Sequence, residues 1–428
     1  MIMDQCWFHV DVNSAFLSWT AVWKQEVLGE SRDLRKIPAV IGGSREERRG
    51  IVLASSLPAK AMGISTGEVL WSARKKCADL TVEPPDYKLY VRCSQALIKI
   101  LKDYSPIVEQ YSIDEAFVHM TGTKSLMGSP VATALEMKNR IKKELGFTVN
   151  IGIGPNRILA KMASGMKKPD QCHTMFLEEI QEKMWPMPVK KLFFVGSQTE
   201  KKLEKLGIHT IGQLACSSRE MLGKYLKKQG ETIWDYANGI DSPPFLKEAP
   251  VQRGYGNSMT SWKDIDSLEE AWNYILSLAE TIGSRLRNDH VKIRTVSVSV
   301  VDFQFLSKSR QGTLAEPSDS TMEIAQKAFL LLEEIWTWRP VRQLGISTFH
   351  AVREEYCQIN LFHKEEDEKR KAMEKCVDSL RKKYGEDIIM RARYVNSQVP
   401  HMGGGLDKEK RQGVTGGDYS SASCSHFS

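Results

Sequence analysis

Three acidic residues stand where the surrounding sequence predicts β-strands. Asp11 follows a short apolar run, and the neighbouring residues Asp114 and Glu115 occupy a predicted turn between two apolar strands, residues 107–111 and 116–120. An ionised carboxylate at the end of a buried strand is costly to desolvate unless a cation meets it. Each acid taken alone is also compatible with a structural role, as a helix cap or as part of a solvated turn.

The three acids together indicate a metal site. An α+β sheet can bring the end of its first strand beside a central hairpin, and the carboxylates would then meet at one point. Like charges at that distance require a divalent cation between them, and hard oxygen ligands favour Mg²⁺. Two such ions roughly 3.5–4 Å apart can stabilise both the attacking and the leaving oxygen of a phosphoryl transfer. The spacing therefore suggests phosphoryl transfer with two Mg²⁺ ions.

Length and composition exclude several classes of protein. The 428 residues suit two to four domains, and a content of 41% hydrophobic and 26% charged residues is that of a soluble globular chain. No run approaches the ~18 apolar residues that span a bilayer, and the N-terminus lacks a signal-peptide layout, so we expect a cytoplasmic protein without a membrane partner. Eight cysteines without a CxxC pair argue against a disulfide scaffold or a cysteine zinc site. The net charge of +7 permits a polyanionic partner but does not establish one.

The predicted elements divide the chain into three folded parts and a tail. The first part is an α+β unit that ends near residue 172 and contains a strand-rich insert at residues 32–64. The second, residues 186–240, is helical, rich in lysine and punctuated by glycine, and a linker begins at Asp241. Periodicity predicts, in chain order, a helix at 86–104, a helix at 132–145, a strand at 147–153, a helix at 155–166, a helix within 260–289, a strand at 291–303, a helix at 320–338 and a charged helix at 364–384.

Three motifs resemble those of the Y-family translesion DNA polymerases of the DinB/UmuC type. They are His9-Val10-Asp11-Val12-Asn13-Ser14-Ala15-Phe16, Tyr111-Ser112-Ile113-Asp114-Glu115-Ala116-Phe117, and residues 152–164, which begin Gly152-Ile153-Gly154. The resemblance covers about residues 6–350. The N-terminal aspartate together with the Ser-Ile-Asp-Glu turn is the specific signal, because a Gly-x-Gly motif alone is weak and the sequence holds no GxxxxGK[ST] phosphate loop.

The resemblance implies an α+β multidomain fold, a right-hand polymerase with palm, small fingers, helical thumb and an α/β little-finger domain. It also implies a monomer that binds primer–template DNA and dNTPs. The implied boundaries are residues 1–30 and 72–172 for the palm, 31–71 for the fingers, 173–241 for a helix-hairpin-helix-like thumb, 242–252 for a linker, 253–352 for the little finger, 353–396 for a clamp-binding peptide and charged helix, and 397–428 for a disordered tail.

The resemblance also implies a role for each acid. Residues that match Asp11 and Asp114 bridge two Mg²⁺ ions, the residue that matches Glu115 completes the shell of the catalytic ion, and the backbone carbonyl at Val12 supplies a further ligand. No side-chain nucleophile is required, because the primer 3′-hydroxyl attacks the α-phosphorus and catalysis rests on positioning and charge neutralisation. We expect Ser112, which directly precedes this turn, to organise it.

Three further residues match positions that contact the nucleotide. Phe16 matches the steric-gate aromatic that excludes a ribose 2′-hydroxyl, although an aromatic on a first helix is commonly a core residue. Lys60 and Lys168 match positions that meet the triphosphate, where cations screen the charge of the pyrophosphate leaving group. Many DinB-type enzymes carry Tyr and Arg at the positions of Leu57 and Lys60, and Asp at that of Asn13. The nucleotide contacts should differ accordingly, since leucine cannot donate a hydrogen bond and lysine lacks bidentate geometry.

DNA contacts are implied for the thumb and the little finger. Gly196 and Gly207 belong to a helix-hairpin-helix-like element, whose backbone N–H groups and helix N-termini would take phosphates without reading sequence. A plain helical hairpin is the alternative interpretation. Arg285 and Arg294 belong to a basic cluster in the little finger, although such a cluster is ordinarily a solvated face.

A short peptide near the end of the folded part resembles a clamp-binding motif. Gln358, Leu361 and Phe362 fit the peptide that bacterial polymerases insert into the sliding clamp, the β subunit. Two apolar anchors and a glutamine on a polar loop suit a peptide-in-groove contact. Attachment to a ring on DNA would raise the effective concentration of the enzyme at its substrate.

The preferred interpretation is a DNA-directed DNA polymerase that performs low-fidelity translesion synthesis during DNA damage tolerance. A nucleotide cyclase also has a palm-like sheet with paired carboxylates, but it needs neither a lysine-rich thumb nor a clamp peptide. A non-catalytic, DNA-bound adaptor would be expected to have lost the acids, and Asp11, Asp114 and Glu115 are all present.

Overall fold

The computed structural model describes residues 5–43, 50–241, 252–353 and 364–404, except residues 338 and 396, and omits the side chains of residues 124 and 364–367. The described chain forms two compact units, residues 5–43 with 50–241 and residues 252–353 with 364–404. Within these ranges, no helix is both long and apolar enough to cross a membrane.

The first unit holds eight strands and eleven α-helices among its described residues. The strands are β1 (Trp7–Val12), β2 (Ala39–Gly42), β3 (Val52–Ser55), β4 (Thr81–Glu83), β5 (Val108–Gln110), β6 (Glu115–His119), β7 (Val149–Gly154) and β8 (Cys172–Thr174). The helices are α1 (Ala15–Glu26), α2 (Leu57–Ala61), α3 (Leu70–Lys76), α4 (Tyr87–Lys102), α5 (Lys124–Met127), α6 (Pro130–Leu145), α7 (Arg157–Ser164), α8 (Ser197–Glu204), α9 (Ile211–Ala215), α10 (Arg219–Leu226) and α11 (Lys228–Ala237).

The central sheet has the order β5-β6-β1-β7-β8, so the first strand of the chain lies in its middle. Strand β1 pairs antiparallel with both β6 and β7. Alternate residues of a strand point to opposite faces of its sheet. Phe8, Val10 and Val12 therefore join a core with helices α1, α4 and α6, whereas Trp7 and His9 face helix α7.

Helix α7 packs unusually close to the sheet because glycines lie beneath it. A Cβ atom on Gly152 would lie 1.9 Å from the carbonyl oxygen of Ala160, and one on Gly154 would lie 2.7 Å from the amide nitrogen of the same residue. The Gly-x-Gly motif is thus required for helix–sheet contact. The side chain of Asn156 caps the helix by accepting a hydrogen bond from the amide of Leu159 at 2.9 Å.

Two smaller modules complete the first unit. The insert predicted at residues 32–64 extends to residue 83, because β4 pairs with β2 to complete the sheet β3-β2-β4, which has its own apolar core with α2 and α3. The implied boundary between fingers and palm at residues 71–72 therefore falls inside this module, since the pairing of β4 is not visible from local sequence. Helices α8 to α11 enclose another core, which also takes in residues of α7. This arrangement agrees with the small fingers and the helical thumb implied by the sequence.

The second unit is an antiparallel sheet covered by two helices. Its strands are β9 (Gly254–Ile265), β10 (Val291–Asp302), β11 (Ser307–Ser318) and β12 (Val341–Arg353), in the order β11-β10-β12-β9, and its helices are α12 (Leu268–Asn288), α13 (Thr321–Ile335) and α14 (Lys364–Tyr384). Apolar residues of α12 and α13 form one core with the sheet. The α/β composition is the one expected of the little finger.

The chain beyond α14 packs against α12. The carboxylate of Glu280, on that helix, accepts a hydrogen bond from Nε of Arg391 at 2.5 Å and lies 2.7 Å from Nδ1 of His401. Val399 and Met402 are buried in the same unit. Residues 397–404 therefore belong to the folded unit, although the sequence placed them in a disordered tail, because their few apolar residues contact a face that periodicity along the chain cannot reveal.

Candidate active site

Strand pairing brings Asp11 and Glu115 side by side. The two residues are register partners across β1 and β6, and the amide of Val12 donates to the carbonyl of Asp114 at 3.1 Å. A lysine meets each carboxylate. The Nζ of Lys168 donates to Oδ1 of Asp11 at 2.8 Å, and the Nζ of Lys161 donates to Oε2 of Glu115 at 2.8 Å.

The environment of Asp11 favours its protonated form. Burial, together with a smaller effect of the nearby Glu115 carboxylate, raises the pKa of Asp11 to about 6, although Lys168 opposes the shift. Desolvation and a like charge thus act together against ionisation. A cation placed between the two acids would reverse both effects, which is the electrostatic requirement of a metal site.

The third acid lies on the turn that precedes β6. The hydroxyl of Ser112 donates to Oδ1 of Asp114 at 2.7 Å, and the same hydroxyl accepts from the Asp114 amide at 3.3 Å. The amide of Ser112 donates to the carbonyl of Glu115 at 3.1 Å. These bonds close the turn, as the sequence predicted for Ser112.

The acids fit a divalent cation in their chemistry. Among the described residues, no three His, Cys, Asp or Glu side chains converge closely enough to enclose a metal ion. Asp11 and Glu115 are nevertheless adjacent, whereas the carboxylate of Asp114 accepts a hydrogen bond from Ser112. Three carboxylates and a backbone carbonyl are the hard oxygen ligands that Mg²⁺ or Mn²⁺ prefers.

Lys60 and Lys168 lie in the same electrostatic neighbourhood as Asp11. Burial lowers the pKa of Lys60, the charge of Lys168 lowers it further, and Asp11 raises it. The Nζ of Lys60 donates to the hydroxyl of Ser14 at 2.8 Å. Ser14 precedes α1 in a left-handed conformation, with φ of 48°. Two lysines beside an acid suit the binding of a polyanion.

Phe16 contacts the cores on both sides of α1. Its ring stacks on that of Tyr90 with centroids 4.4 Å apart and an interplanar angle of 5°, and it meets Tyr87 at 5.9 Å. The side chain is half-buried, because it packs against the core of the central sheet and against a small core shared by α1 and the insert. The geometry is compatible both with the steric gate and with the core aromatic considered above.

Asn13 serves a structural network. Its amide nitrogen donates to Oδ1 of Asn150 at 3.1 Å, while its oxygen accepts from the hydroxyl of Thr148 at 3.0 Å and the amide of Asp170 at 2.9 Å. An aspartate at this position would place a carboxylate oxygen against Oδ1 of Asn150, where the amide nitrogen of Asn13 donates, and the hydrogen bond would be lost. The departure from the family pattern therefore has a local explanation.

Three residues near the acids, His9, Lys161 and Ser164, were given no role in the sequence analysis. His9 is fully buried, and its Nδ1 lies 2.7 Å from the hydroxyl of Ser164. Burial holds the pKa of His9 well below its usual value, and Lys161 and Lys168 lower it further. The signals were available in the motifs themselves, in His9 two positions before Asp11 and in Lys161 within residues 152–164.

The predicted DNA-contacting glycines lie at helix ends in the thumb. Gly196 is the N-cap of α8, and Gly207 follows that helix with φ of +74°, a conformation that favours glycine. Thr210 is the N-cap of α9 and forms a capping box with Gln213. The backbone amide of Gln213 donates to the threonine hydroxyl at 3.2 Å. Two short helices joined by a glycine turn are what the sequence predicted.

The predicted residues of the second unit differ in their contacts. Arg285 donates to the carbonyl of Gly256 at 3.4 Å and lies 5.3 Å from the centre of the Tyr255 ring. Arg294 is exposed on β10. The predicted clamp residues Gln358, Leu361 and Phe362 lie outside the described residues.

Comparison with known proteins identifies the family. A family model described as the impB/mucB/samB family matches residues 10–165, and the C-terminal domain of that family matches residues 252–361. A model described as the DNA polymerase-iota thumb domain matches residues 190–241.

Curated relatives cover almost the whole chain. DNA polymerase IV of Clostridium acetobutylicum is 42% identical over 390 residues, which are 91% of this chain and 98% of the relative. DNA polymerase IV of Acetivibrio thermocellus is 36% identical over 91% of this chain and 97% of its own length. DNA polymerase IV 1 of Bacillus subtilis is 34% identical over 89% of this chain and 91% of its own length.

A solved structure has the same fold. A Y-family DNA polymerase chimera superposes with a TM-score of 0.67 at 19% identity, over 81% of this chain and 99% of the chimera. The right-hand α+β architecture predicted from the sequence is confirmed. The paired acids at the junction of β1 and β6, the family models and the relatives agree, and the chain belongs to the Y-family of DNA polymerases.

Proposed function

We propose that this chain performs template-directed translesion DNA synthesis, adding deoxynucleotides to a primer 3′-hydroxyl during DNA damage tolerance. The observation that carries the proposal is the adjacency of Asp11 and Glu115 across β1 and β6 in a chain whose relatives are DNA polymerases. A non-catalytic adaptor is not favoured, because all three acids are retained.

The proposed metal ligands are Asp11, Asp114, Glu115 and the backbone carbonyl of Val12, and the proposed ions are two Mg²⁺. When bound, the ions neutralise charge on the attacking and leaving oxygens of a phosphoryl transfer. The chain itself supplies the rigidity of the site. Pairing of β1 with β6 fixes the backbone of Asp11 and Glu115, and Ser112 holds Asp114 on the adjoining turn.

Lys60 and Lys168 are the proposed triphosphate ligands. Both are exposed, and each now donates to a nearby oxygen, of Ser14 and Asp11 respectively. An ammonium group exchanges such a partner readily for a phosphate oxygen, where it screens the charge of the departing pyrophosphate. Leu57 is 53% exposed and offers this part of the site only apolar contact.

Phe16 is the proposed steric gate. It lies five residues after Asp11, at the start of α1, and its ring is held by stacking on Tyr90. A ring fixed in this way resists displacement by a ribose 2′-hydroxyl, so a ribonucleotide would be excluded by a steric clash.

The proposed DNA contacts are sequence-independent. The amides around Gly196 and Gly207 would bind phosphates at the ends of α8 and α9. In the second unit we propose Arg294 and Arg285 as DNA contacts. Arg294 is the stronger candidate, because Arg285 already lies over the ring of Tyr255. The proposed protein partner is the sliding clamp, bound by Gln358, Leu361 and Phe362, and the proposed state is a cytoplasmic monomer.

A primer-extension assay tests the function. The purified chain should extend a primer on an undamaged template and past an abasic site when Mg²⁺ and dNTPs are present, and EDTA should stop both reactions. Absence of extension on the undamaged template would contradict the proposal. Extension that stops at every lesion would restrict it to ordinary DNA synthesis.

A further inference from the structure

Two lysines flank the paired acids, and their surroundings differ. Lys168 contacts Asp11 from the solvent side, with 39% of its side chain exposed. Lys161 contacts Glu115 from the interior, with 15% exposed. The four side chains make a row in the order Lys161, Glu115, Asp11 and Lys168.

A closed set of hydrogen bonds holds Lys161. The Ser164 hydroxyl donates to the carbonyl of Lys161 at 2.9 Å, and the Nδ1 of His9 lies 2.7 Å from that hydroxyl. The network therefore assigns the proton to Nδ1, so that Nε2 of His9 faces the Lys161 ammonium, 3.4 Å away, as an acceptor. The ammonium completes the set by donating to Glu115.

Aromatic rings limit the movement of the same ammonium group. Its Nζ lies 4.8 Å from the centre of the Tyr111 ring and 5.1 Å from that of Phe193, both within reach of a cation–π interaction. The backbone of α7 is also fixed, because Gly152 and Gly154 let it rest directly on β7. Lys161 thus contacts His9, Tyr111 and Phe193 in addition to its acid, and it is less exposed than Lys168.

We infer that Lys161 is a positioning residue that remains on Glu115 when the active site is loaded, whereas Lys168 leaves Asp11 for the triphosphate. The inference rests on the proposed function. The bond from Lys161 holds Oε2 of Glu115 and so orients the carboxylate, whose remaining lone pairs would be offered to a metal ion. His9 and Ser164 act through Lys161 by fixing the direction of its ammonium.

The competing interpretation is that Lys161 only takes the place of a metal ion. The two interpretations predict opposite effects of removing its charge. A positioning lysine fixes one rotamer of Glu115, and loss of such an outer partner typically weakens metal binding or activity 10–100-fold. A lysine that merely competes with the ion would, when removed, allow tighter binding.

The test is a titration of Mn²⁺, followed through the electron paramagnetic resonance signal of the free ion, on the full chain bound to primer–template DNA without nucleotide. Asp114→Ala defines the binding that belongs to the site. Lys161→Met removes the charge and keeps the stem, Lys161→Arg restores a charge, and Lys167→Met is the matched control, because that exposed lysine is bonded through its backbone carbonyl. Steady-state single-nucleotide insertion with Mg²⁺ gives kcat and the KM for dNTP for each variant.

We expect Lys161→Met to weaken site-specific Mn²⁺ binding tenfold or more and to lower kcat similarly, with the KM for dNTP within threefold of the wild type. Lys161→Arg should recover part of the loss, and Lys167→Met should match the wild type. Unchanged or tighter Mn²⁺ binding by folded Lys161→Met would overturn the inference. If that variant does not fold, Lys161→Gln provides the same comparison with a neutral donor. Failure of the proposed function would appear separately, as wild-type protein that neither extends primers nor loses Mn²⁺ binding with Asp114→Ala.

Discussion

Replacement of Phe16 by alanine should admit ribonucleotides. The ring lies parallel to that of Tyr90 at 4.4 Å and is half-buried, so truncation opens space at the first turn of α1 rather than deep in the core. Complete burial of a phenylalanine would make its loss cost ~3–5 kcal/mol of stability. For this half-buried ring we expect about 2 kcal/mol.

The expected change in selectivity is larger than the change in folding can explain. Relief of a clash with the 2′-hydroxyl should lower discrimination against ribonucleotides 100-fold or more, which corresponds to about 2.7 kcal/mol at ~1.36 kcal/mol per decade. The assay compares kcat/KM for a matched rNTP and dNTP in single-nucleotide insertion.

A control variant separates selectivity from packing. Tyr90→Phe removes the hydrogen bond to the hydroxyl of Thr20, at 3.1 Å, but keeps the ring on which Phe16 stacks. It should lose about 1 kcal/mol of stability and retain the selectivity of the wild type. A cooperative thermal unfolding transition of Phe16→Ala, together with the wild-type ratio of kcat/KM for dNTP to that for rNTP, would contradict this prediction. In that case Phe16 is a core residue and the gate lies elsewhere.

Three other variants test the charges and the clamp peptide. Because the pKa of Asp11 is raised from 3.8 to about 6, its ionisation lowers the free energy of unfolding as pH rises through that window. Asp11→Asn should therefore stabilise the metal-free protein at pH 7.5, by up to about 2–3 kcal/mol at ~1.36 kcal/mol per unit, and the gain should vanish near pH 4; equal gains at both pH values in thermal melts would contradict this. Lys168→Met should raise the KM for dNTP about 10-fold or more, the size of a charge-assisted hydrogen bond, while Lys167→Met should leave it unchanged, and equal KM values would remove Lys168 from the triphosphate site. Replacement of both Leu361 and Phe362 by alanine should cost roughly 2–4 kcal/mol of clamp affinity and leave extension without clamp unaffected, whereas a lowered melting temperature with intact clamp binding would show that these residues only pin the loop.

Elements with strong local periodicity could be predicted from the sequence. A helix over residues 86–104 was expected and α4 spans Tyr87–Lys102, because its apolar residues recur on one face. The charged helix at 364–384 matches α14 in its bounds. The adjacency of Asp11 and Glu115 was also predictable, since the end of one strand can lie beside a hairpin of the same sheet. That Asp114 joins them stays a prediction.

Polar strands in the second unit could not be predicted in the same way. Strand β9 begins Gly254-Tyr255-Gly256-Asn257-Ser258, and its hydroxyl and glycine residues show little hydrophobic alternation. Strand β11 is an edge strand exposed over most of its length. Both strands form because β12 and β10 provide partners, a cause that lies far away in the sequence.

The partners of the acids had the same dependence on tertiary structure. Lys161 reaches Glu115 across 46 residues of sequence, and only because Gly152 and Gly154 allow α7 to approach the sheet. The Gly-x-Gly motif is weak as a functional signal, yet its packing role decides where the lysine lies.

The most direct test of the central claim is primer extension by Asp114→Ala with Mg²⁺, measured together with affinity for primer–template DNA. The matched control is Glu109→Gln, which alters an acid of the same sheet that pairs with Arg157 at 3.3 Å and has no proposed metal role. Asp114→Ala should show no extension while its DNA affinity stays within a few-fold of the wild type, and the control should extend normally. Normal extension by Asp114→Ala would contradict the assignment of the three acids as the metal site of this polymerase.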